Sequence, residues 1–241
     1  KAYNNLIKKG VGALVIIGGD GTFTGGLKFI QEFNFPVIGI PGTIDNDIYG
    51  TDRTIGYDTA LNTVVEVIDK IRDTASSHNR LFFIEVMGRD AGFIALNAGI
   101  GAGAEEILIP EKNLGLDRLV ESLKTSKEKG KTSSIVVVSE GDKIGKNVFE
   151  LGDHIKEIFP DYDIRVSVLG HMQRGGTPSC SDRVLASRLG VAAVEHLLDR
   201  SSGVMVGITN NQVTTVGLNK AIKMNNDIDK ELLKVAEITS V

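Results

Sequence analysis

Ala13-Leu14-Val15-Ile16-Ile17-Gly18-Gly19-Asp20-Gly21-Thr22 decides the fold. Its apolar half runs without alternation, the mark of a strand buried on both faces in a parallel sheet. The run ends in a glycine-rich turn, and a helix is predicted to follow from about Thr24 to Glu32. Those glycines would let backbone N–H groups approach a phosphate, and Asp20 would stand by the metal that a phosphate brings. The stretch lacks the lysine of a P-loop and the spacing of a dinucleotide fingerprint. A tight strand-to-helix turn would also favour Gly18-Gly19 and remains the plain alternative.

Upstream, Tyr3 to Lys9 suits the end of a helix stopped by Gly10. The chain opens on Lys1 and enters this polar segment at once, which points to a missing N-terminal portion. Downstream, Val37 to Ile40 reads as a short buried strand that delivers Pro41-Gly42-Thr43-Ile44-Asp45-Asn46-Asp47. If that loop stays extended, alternate side chains share a side, and Thr43, Asp45 and Asp47 face one cleft. Two nearby carboxylates can split roles, one holding a cation and one taking a proton. A surface turn is the competing reading, since Asp, Asn and Gly are common turn residues.

The same alternation of strand and helix continues to the end of the chain. A helix over about Tyr57 to Arg72 presents Ala60, Leu61, Val64, Val65, Ile68 and Ile71 at helical spacing. Strands are predicted at Leu81–Val86, Ile107–Ile109, Ser134–Val138 and Ile164–Leu169, with helices at about 91–102, 116–129 and 147–158. Ser181 and Asp182 are expected to cap a helix running to about Leu198. A late strand pair, Val204–Ile208 and Gln212–Thr215, precedes a helical tail from Asp227. The pattern implies an α/β fold with a parallel sheet and helices on both faces. Ligands in such folds bind at the carboxyl ends of strands. Here strand after strand ends in glycine plus a charged residue: Asp20, Asp45, Arg89, Glu140 and Arg174. Five such ends in register argue for an enzyme.

Composition sets the outer limits. The 241 residues are 41% hydrophobic and 24% charged, ordinary for a globular chain with ample core. A net charge of -4 gives no case for nucleic acid or an anionic membrane. Cys180 is the only cysteine, which excludes an internal disulfide and suggests a reducing, cytoplasmic compartment. No apolar run approaches the ~20 residues of a membrane span.

Arg80, Arg89, Arg165 and Arg174 each sit beside a strand end, and guanidinium groups converging on one cleft would suit a phosphorylated substrate. Solvated charges or surface ion pairs are the ordinary fate of arginine. His171, inside Gly170-His171-Met172-Gln173-Arg174-Gly175-Gly176, tilts towards ligand contact. Glu140 could accept hydrogen bonds from sugar hydroxyls or merely cap a loop, and Cys180 has no nearby base. A phosphate-cradling loop, a metal-suited Asp, a second Asp and arginines are the components of phosphoryl transfer.

Gly-Gly-Asp-Gly-Thr at 18–22, Pro-Gly-Thr-Ile-Asp-Asn-Asp at 41–47, Glu-Val-Met-Gly-Arg at 85–89 and the 170–176 loop resemble, in this order and spacing, the ATP-dependent 6-phosphofructokinases. The resemblance implies two similar three-layer α/β lobes with mainly parallel sheets and an active site in the cleft between them. Residues 1–56 with about 170–220 would form the ATP lobe, and about 57–169 with 221–241 the sugar-phosphate lobe. The family's first quarter, with further ATP contacts, would precede Lys1. The implied reaction moves the γ-phosphoryl of ATP to the 1-hydroxyl of fructose 6-phosphate, with Mg²⁺. By motif match, Asp45 is the general base and Asp20 handles the metal, with Asp47 in support. Gly19, Asp20, Gly21 and Thr22 line the ATP phosphates, and Thr43 and Arg89 stabilise the group in transfer. Ile44, Met87, Gly88, Glu140, His171, Met172, Gln173 and Arg174 complete the sugar-phosphate site. Arg80 and Arg165 match arginines that reach a neighbouring subunit's site, which implies a homo-oligomer, in the family a homotetramer.

Relatives that use pyrophosphate carry Asp where this chain has Gly21 and Lys where it has Gly42, so the donor here is of the ATP type. Arg72, Gly103, Ala104, Glu105, Lys129, Lys131, Thr132 and Ser133 match the family's nucleotide effector site, for an effector such as ADP. Phe93 departs from the pattern, since many relatives carry Asp there. Lipid and NAD kinases share Gly-Gly-Asp-Gly-Thr, but the 41–47 and 170–176 loops argue against them. A degenerate, effector-sensing module is disfavoured by intact Asp20, Asp45 and Arg89.

Overall fold

Strand β1 (Leu14–Gly18) pairs in parallel with β2 (Val37–Pro41), from Leu14 opposite Val37 to Gly18 opposite Pro41. The computed structural model describes residues 1–74, 80–112, 115–129, 133–145 and 147–239. Among them the chain forms two compact units, Lys1–Asp58 with Pro178–Asp227 and Thr59–Thr177 with Ile228–Val241.

The first unit holds a four-stranded sheet in the order β1-β2-β7-β8. Strand β7 (Val204–Thr209) runs parallel to β2, and β8 (Gln212–Gly217) returns antiparallel to it. Asn210 and Asn211 make the hairpin turn at positive φ, 50° and 60°. Asparagine tolerates that conformation, and a two-residue hairpin needs it. Helix α7 (Cys180–Leu198) covers one face, packing Leu185, Leu189 and Ala193 on Ile38, Ile40 and Val206. Helices α2 (Asp20–Phe33) and α8 (Leu218–Lys223) cover the other through Phe23, Leu218 and Ala221. A Cβ at Gly39 would lie 2.9 Å from both Phe23 and Leu218, so glycine lets these two helices close on β2. Helix α1 (Ala2–Lys8) stacks its Tyr3 ring on Phe33, centroids 4.6 Å apart.

The second sheet is wholly parallel, in the order β4-β5-β3-β6. Its strands are β3 (Arg80–Val86), β4 (Glu106–Leu108), β5 (Ser133–Ser139) and β6 (Asp163–Val168). Helices α5 (Leu116–Glu128) and α6 (Val148–Ile158) bury Leu119, Leu123, Leu151 and Ile155 against Leu81, Phe83, Val136 and Val138. Asn147 caps α6, its side chain accepting from Glu150 N–H. Helix α4 (Phe93–Gly101) packs on β4 and β5, and α9 (Lys230–Thr239) packs on α4. Long α3 (Tyr57–Thr74) buries Ala60, Val64 and Ile68 completely. No described helix is long and apolar enough to cross a membrane.

Details of several elements differ from expectation. Among the described residues strand β1 pairs with β2, its burial alternates, and Val15 and Ile17 are 37% and 63% exposed. Helix α2 begins at Asp20, not Thr24, because Gly19 takes extended dihedrals as N-cap and Asp20 suits the positive end of the helix. Ser179, not Ser181 or Asp182, caps α7, accepting from Asp182 N–H at 3.2 Å. Asp182 instead accepts the Gly56 N–H at 3.0 Å.

The unit boundaries also move. Residues 170–177 group with the second unit, because Gln173 Oε1 accepts the Met87 N–H. Residues 221–227 group with the first, where Asn226 Nδ2 donates to the Ile48 and Thr51 carbonyls.

Candidate active site

In the first unit the parallel register places two loops side by side. Gly42 N–H donates to Gly18 O at 3.0 Å, and a Cβ at Gly19 would lie 3.8 Å from Thr43 Cβ. The start of α2 has no side-chain cap, so the N–H groups of its first turn form an anion-binding end. Gly21 lies in that turn, and a Cβ there would meet nothing within 4 Å, which leaves the approach open, whereas a Cβ at Gly42 would press on Ile17 at 3.0 Å. Thr22 folds its hydroxyl over Gly18.

The neighbouring loop holds the carboxylates. Asp45 is 1% exposed; its Oδ2 accepts from the Thr43 hydroxyl at 3.2 Å, and its N–H donates to the same hydroxyl oxygen at 3.3 Å. Ile44 is buried and Asp47 half-buried. The loop does not stay extended. Asn46 has φ 56°, which breaks the alternation expected to align Thr43, Asp45 and Asp47. Asn46 is itself buried, accepting from Thr54 N–H at 2.8 Å and donating to Asp52 O at 3.1 Å. Among the described residues no cluster of three or more metal-ligating side chains occurs. Asp20, in the first turn of α2, offers a carboxylate oxygen, the ligand type that Mg²⁺ takes, and that ion needs few protein ligands.

In the second unit the ends of β3 and β5 meet. Glu140 Oε1 accepts the N–H groups of Gly88 at 3.2 Å and Arg89 at 2.7 Å. Gly88 has φ 147°, and a Cβ there would lie 2.3 Å from Ala91 O, so this turn requires glycine. Arg89, at φ 53°, leaves its side chain exposed. Met87 is half-buried, and its N–H is held at 3.1 Å by Gln173, whose Nε2 donates to Gly170 O at 3.0 Å. Gln173 was expected at the sugar phosphate. It is 1% exposed with both amide ends spent on backbone, so its side chain positions the short 3-10 turn Gly170–Arg174. That turn exposes His171, Met172 and Arg174. Burial, and then the charge of Glu140, push the Glu85 carboxyl above the usual range.

The four arginines do not converge. Arg89 and Arg174 follow the carboxyl ends of β3 and β6, whereas Arg80 opens β3 and Arg165 lies opposite Phe82 near the start of β6. Arg80 and Arg165 share one carboxylate, Asp163 Oδ2, at 3.5 and 3.1 Å. At that same amino end, Arg72 donates to the carbonyls of Ala102 and Gly103, and Glu105 Oε2 accepts the Ile135 N–H at 2.5 Å. Ala104 is buried there and Lys129 is exposed. Lys131, Thr132 and the Ser133 side chain lie outside the described residues.

Sequence reasoning missed Asn46 and Thr54 as loop-holding residues. The signal was available in outline, since asparagine is the residue that best tolerates a left-handed turn.

The sequence model of phosphofructokinase matches residues 1–197. The chain is 52% identical over 240 residues to ATP-dependent 6-phosphofructokinase 2 of Bacteroides thetaiotaomicron, covering 100% of this chain and 73% of that protein. It is 51% identical over 244 residues to ATP-dependent 6-phosphofructokinase 1 of Thermus thermophilus, covering 100% and 74%. Among solved structures, Pichia pastoris phosphofructokinase in the T-state superposes with TM-score 0.87 at 32% identity, covering 99% of this chain and 30% of that one. With two motif loops seated at strand ends in each unit and relatives of this likeness, the chain belongs to the phosphofructokinase family.

Proposed function

We propose that this chain is the catalytic part of an ATP-dependent 6-phosphofructokinase of glycolysis, cytoplasmic and homo-oligomeric. The observation that carries the reading is the buried Asp45 carboxylate, bonded to Thr43, one loop away from the uncapped start of α2. The first unit supplies the donor side. N–H groups of Asp20, Gly21 and Thr22 hold the ATP phosphates, and Asp20 holds Mg²⁺. The metal, when bound, neutralises charge on the phosphates. Asp45 takes the proton of the fructose 6-phosphate 1-hydroxyl as that oxygen bonds to the γ-phosphorus, and the bond to the bridging oxygen of ADP breaks. Asp47 supports the metal region, and Thr43 steadies the group in transfer.

The second unit supplies the acceptor side. Arg89 adds positive charge at the transferred group, and His171, Met172 and Arg174 with the Met87-Gly88 backbone hold the sugar phosphate. Glu140 shapes that turn. Arg80 and Arg165, at the opposite strand ends, serve a neighbouring copy's site, and Arg72, Gly103, Ala104, Glu105 and Lys129 receive a nucleotide effector such as ADP. The open position of Gly21 supports ATP over pyrophosphate.

The test is a coupled assay on the full-length protein with Mg²⁺ and fructose 6-phosphate, offering ATP or pyrophosphate. Turnover with ATP alone, lost by orders of magnitude in Asp45→Asn, is expected. Turnover with pyrophosphate would overturn the donor assignment, and an active Asp45→Asn would overturn the base.

A further inference from the structure

The first unit contains a cavity of about 550 Å³ that shares no lining residue with Gly19–Thr22 or Thr43–Asp47. Its volume lies in the usual range for small-molecule sites. Two cations line it. Arg188 is half-buried and fixed by Asn211, to which it donates at 2.9 Å (side chain) and 2.7 Å (carbonyl). No carboxylate pairs with it among the described residues. Arg53 is exposed, and its guanidinium makes no hydrogen bond or ion pair among the described residues. Asp52 is the one acid in the lining, and its Oδ2 accepts the Asn210 N–H at 2.7 Å. The lining is therefore net positive, with guanidinium donors left over. The rest of the wall is apolar, from Val184, Leu185 and Ile208.

We propose that this cavity is a second ligand site, taking a small phosphomonoester with a compact apolar body. Guanidinium forks match phosphate oxygens, and a half-buried arginine held by a neutral amide keeps its full charge for a ligand. The apolar wall accepts the body and excludes water around the pair. The cavity is joined to the 43–47 loop, because Asp52 O accepts from Asn46 Nδ2 and Asp52 N–H donates to Ile208 O at 2.6 Å.

Cys180 gives a direct readout, since it lines the cavity, is exposed and is the only cysteine of the chain. Its alkylation by iodoacetamide, followed by mass spectrometry, needs no turnover and so stands apart from the proposed activity. Phenyl phosphate is the probe. At ten times its dissociation constant it should slow alkylation about tenfold. Inorganic phosphate should protect more weakly, benzyl alcohol not at all, and Arg53→Ala and Arg188→Ala should each remove the protection. Arg53 is exposed, so its loss leaves the fold intact and keeps the test decisive. No protection of the wild-type protein, protection that survives Arg53→Ala, or equal protection by benzyl alcohol would overturn the site. Equal protection by inorganic phosphate would overturn the apolar half of the proposal.

Discussion

Asn46 Oδ1 accepts the backbone N–H of Thr54 at 2.8 Å, tying the loop that carries Asp45 to the segment that follows it. The Thr54 hydroxyl completes the tie, lying 2.6 Å from the Thr43 carbonyl oxygen to which it donates. Thr54 is itself 1% exposed, which shields its side of the bond from water. Thr54→Val keeps the shape and removes the donor. It should cost about 1–3 kcal/mol in a urea titration. It should also lower kcat by more than it changes KM, because it moves the Thr43–Asp45 pair and not the sugar-phosphate contacts.

Asn46 separates backbone from side chain. At φ 56° glycine is comfortable and alanine is strained. Asn46→Gly loses the hydrogen bonds alone, whereas Asn46→Ala adds a conformational cost of about 1 kcal/mol. Thermal unfolding of the two variants should therefore differ in that order, and equal midpoints would mean that the turn relaxes in the variant.

Glu140 holds two N–H groups through one oxygen, so charge and geometry can be tested apart. Glu140→Gln keeps an acceptor at the end of the side chain and should leave stability within about 1 kcal/mol. Glu140→Ala leaves the Gly88 and Arg89 N–H groups without that acceptor and should cost about 2 kcal/mol. If the Gln variant also keeps its KM for fructose 6-phosphate, Glu140 shapes the turn only. A raised KM at unchanged stability would place its charge at the ligand.

Arg165 pairs with Asp163 at an exposed site, and such pairs are worth about 0–1 kcal/mol. Arg165→Ala should leave the unfolding midpoint nearly unchanged. If Arg165 serves a neighbouring copy's site as proposed, its effect, a raised KM, should appear only when copies assemble. Mixing it with Asp45→Asn checks this, since a subunit pair can then assemble one site that is intact in both residues and recover activity.

The elements were legible in the sequence because apolar runs and glycines mark their ends directly. Strand β2, apolar and central, was read correctly as buried. The motif loops were legible as chemistry, whereas the direction of each side chain was not. Arg80 and Arg89 look equivalent as strand-end arginines, yet a parallel sheet sends them to opposite edges. Gln173 reads as a ligand contact from its motif, and only the approach of the 170–174 turn to Met87 commits its amide to backbone.

Glu106, in β4, is 8% exposed, and burial pushes its carboxyl above the usual range. Its Ser122 hydrogen bond, the charge of Arg118, its hydrogen bond with the Ile107 backbone and Lys112 pull the other way and are outweighed. A carboxyl raised in the folded state binds its proton more tightly there than in the unfolded chain, where it titrates near 4.3. Its contribution to stability is then fully present below that value and is lost as pH rises through the folded value. Glu106→Gln removes the titration while keeping a hydrogen-bonding end. In urea titrations between about pH 4 and 8, the variant should gain on the wild-type protein as pH rises and level off once Glu106 is ionised. The opposite slope would mean that Arg118 and Lys112 outweigh burial. The carboxylate would then act as a charged anchor between β4 and α5.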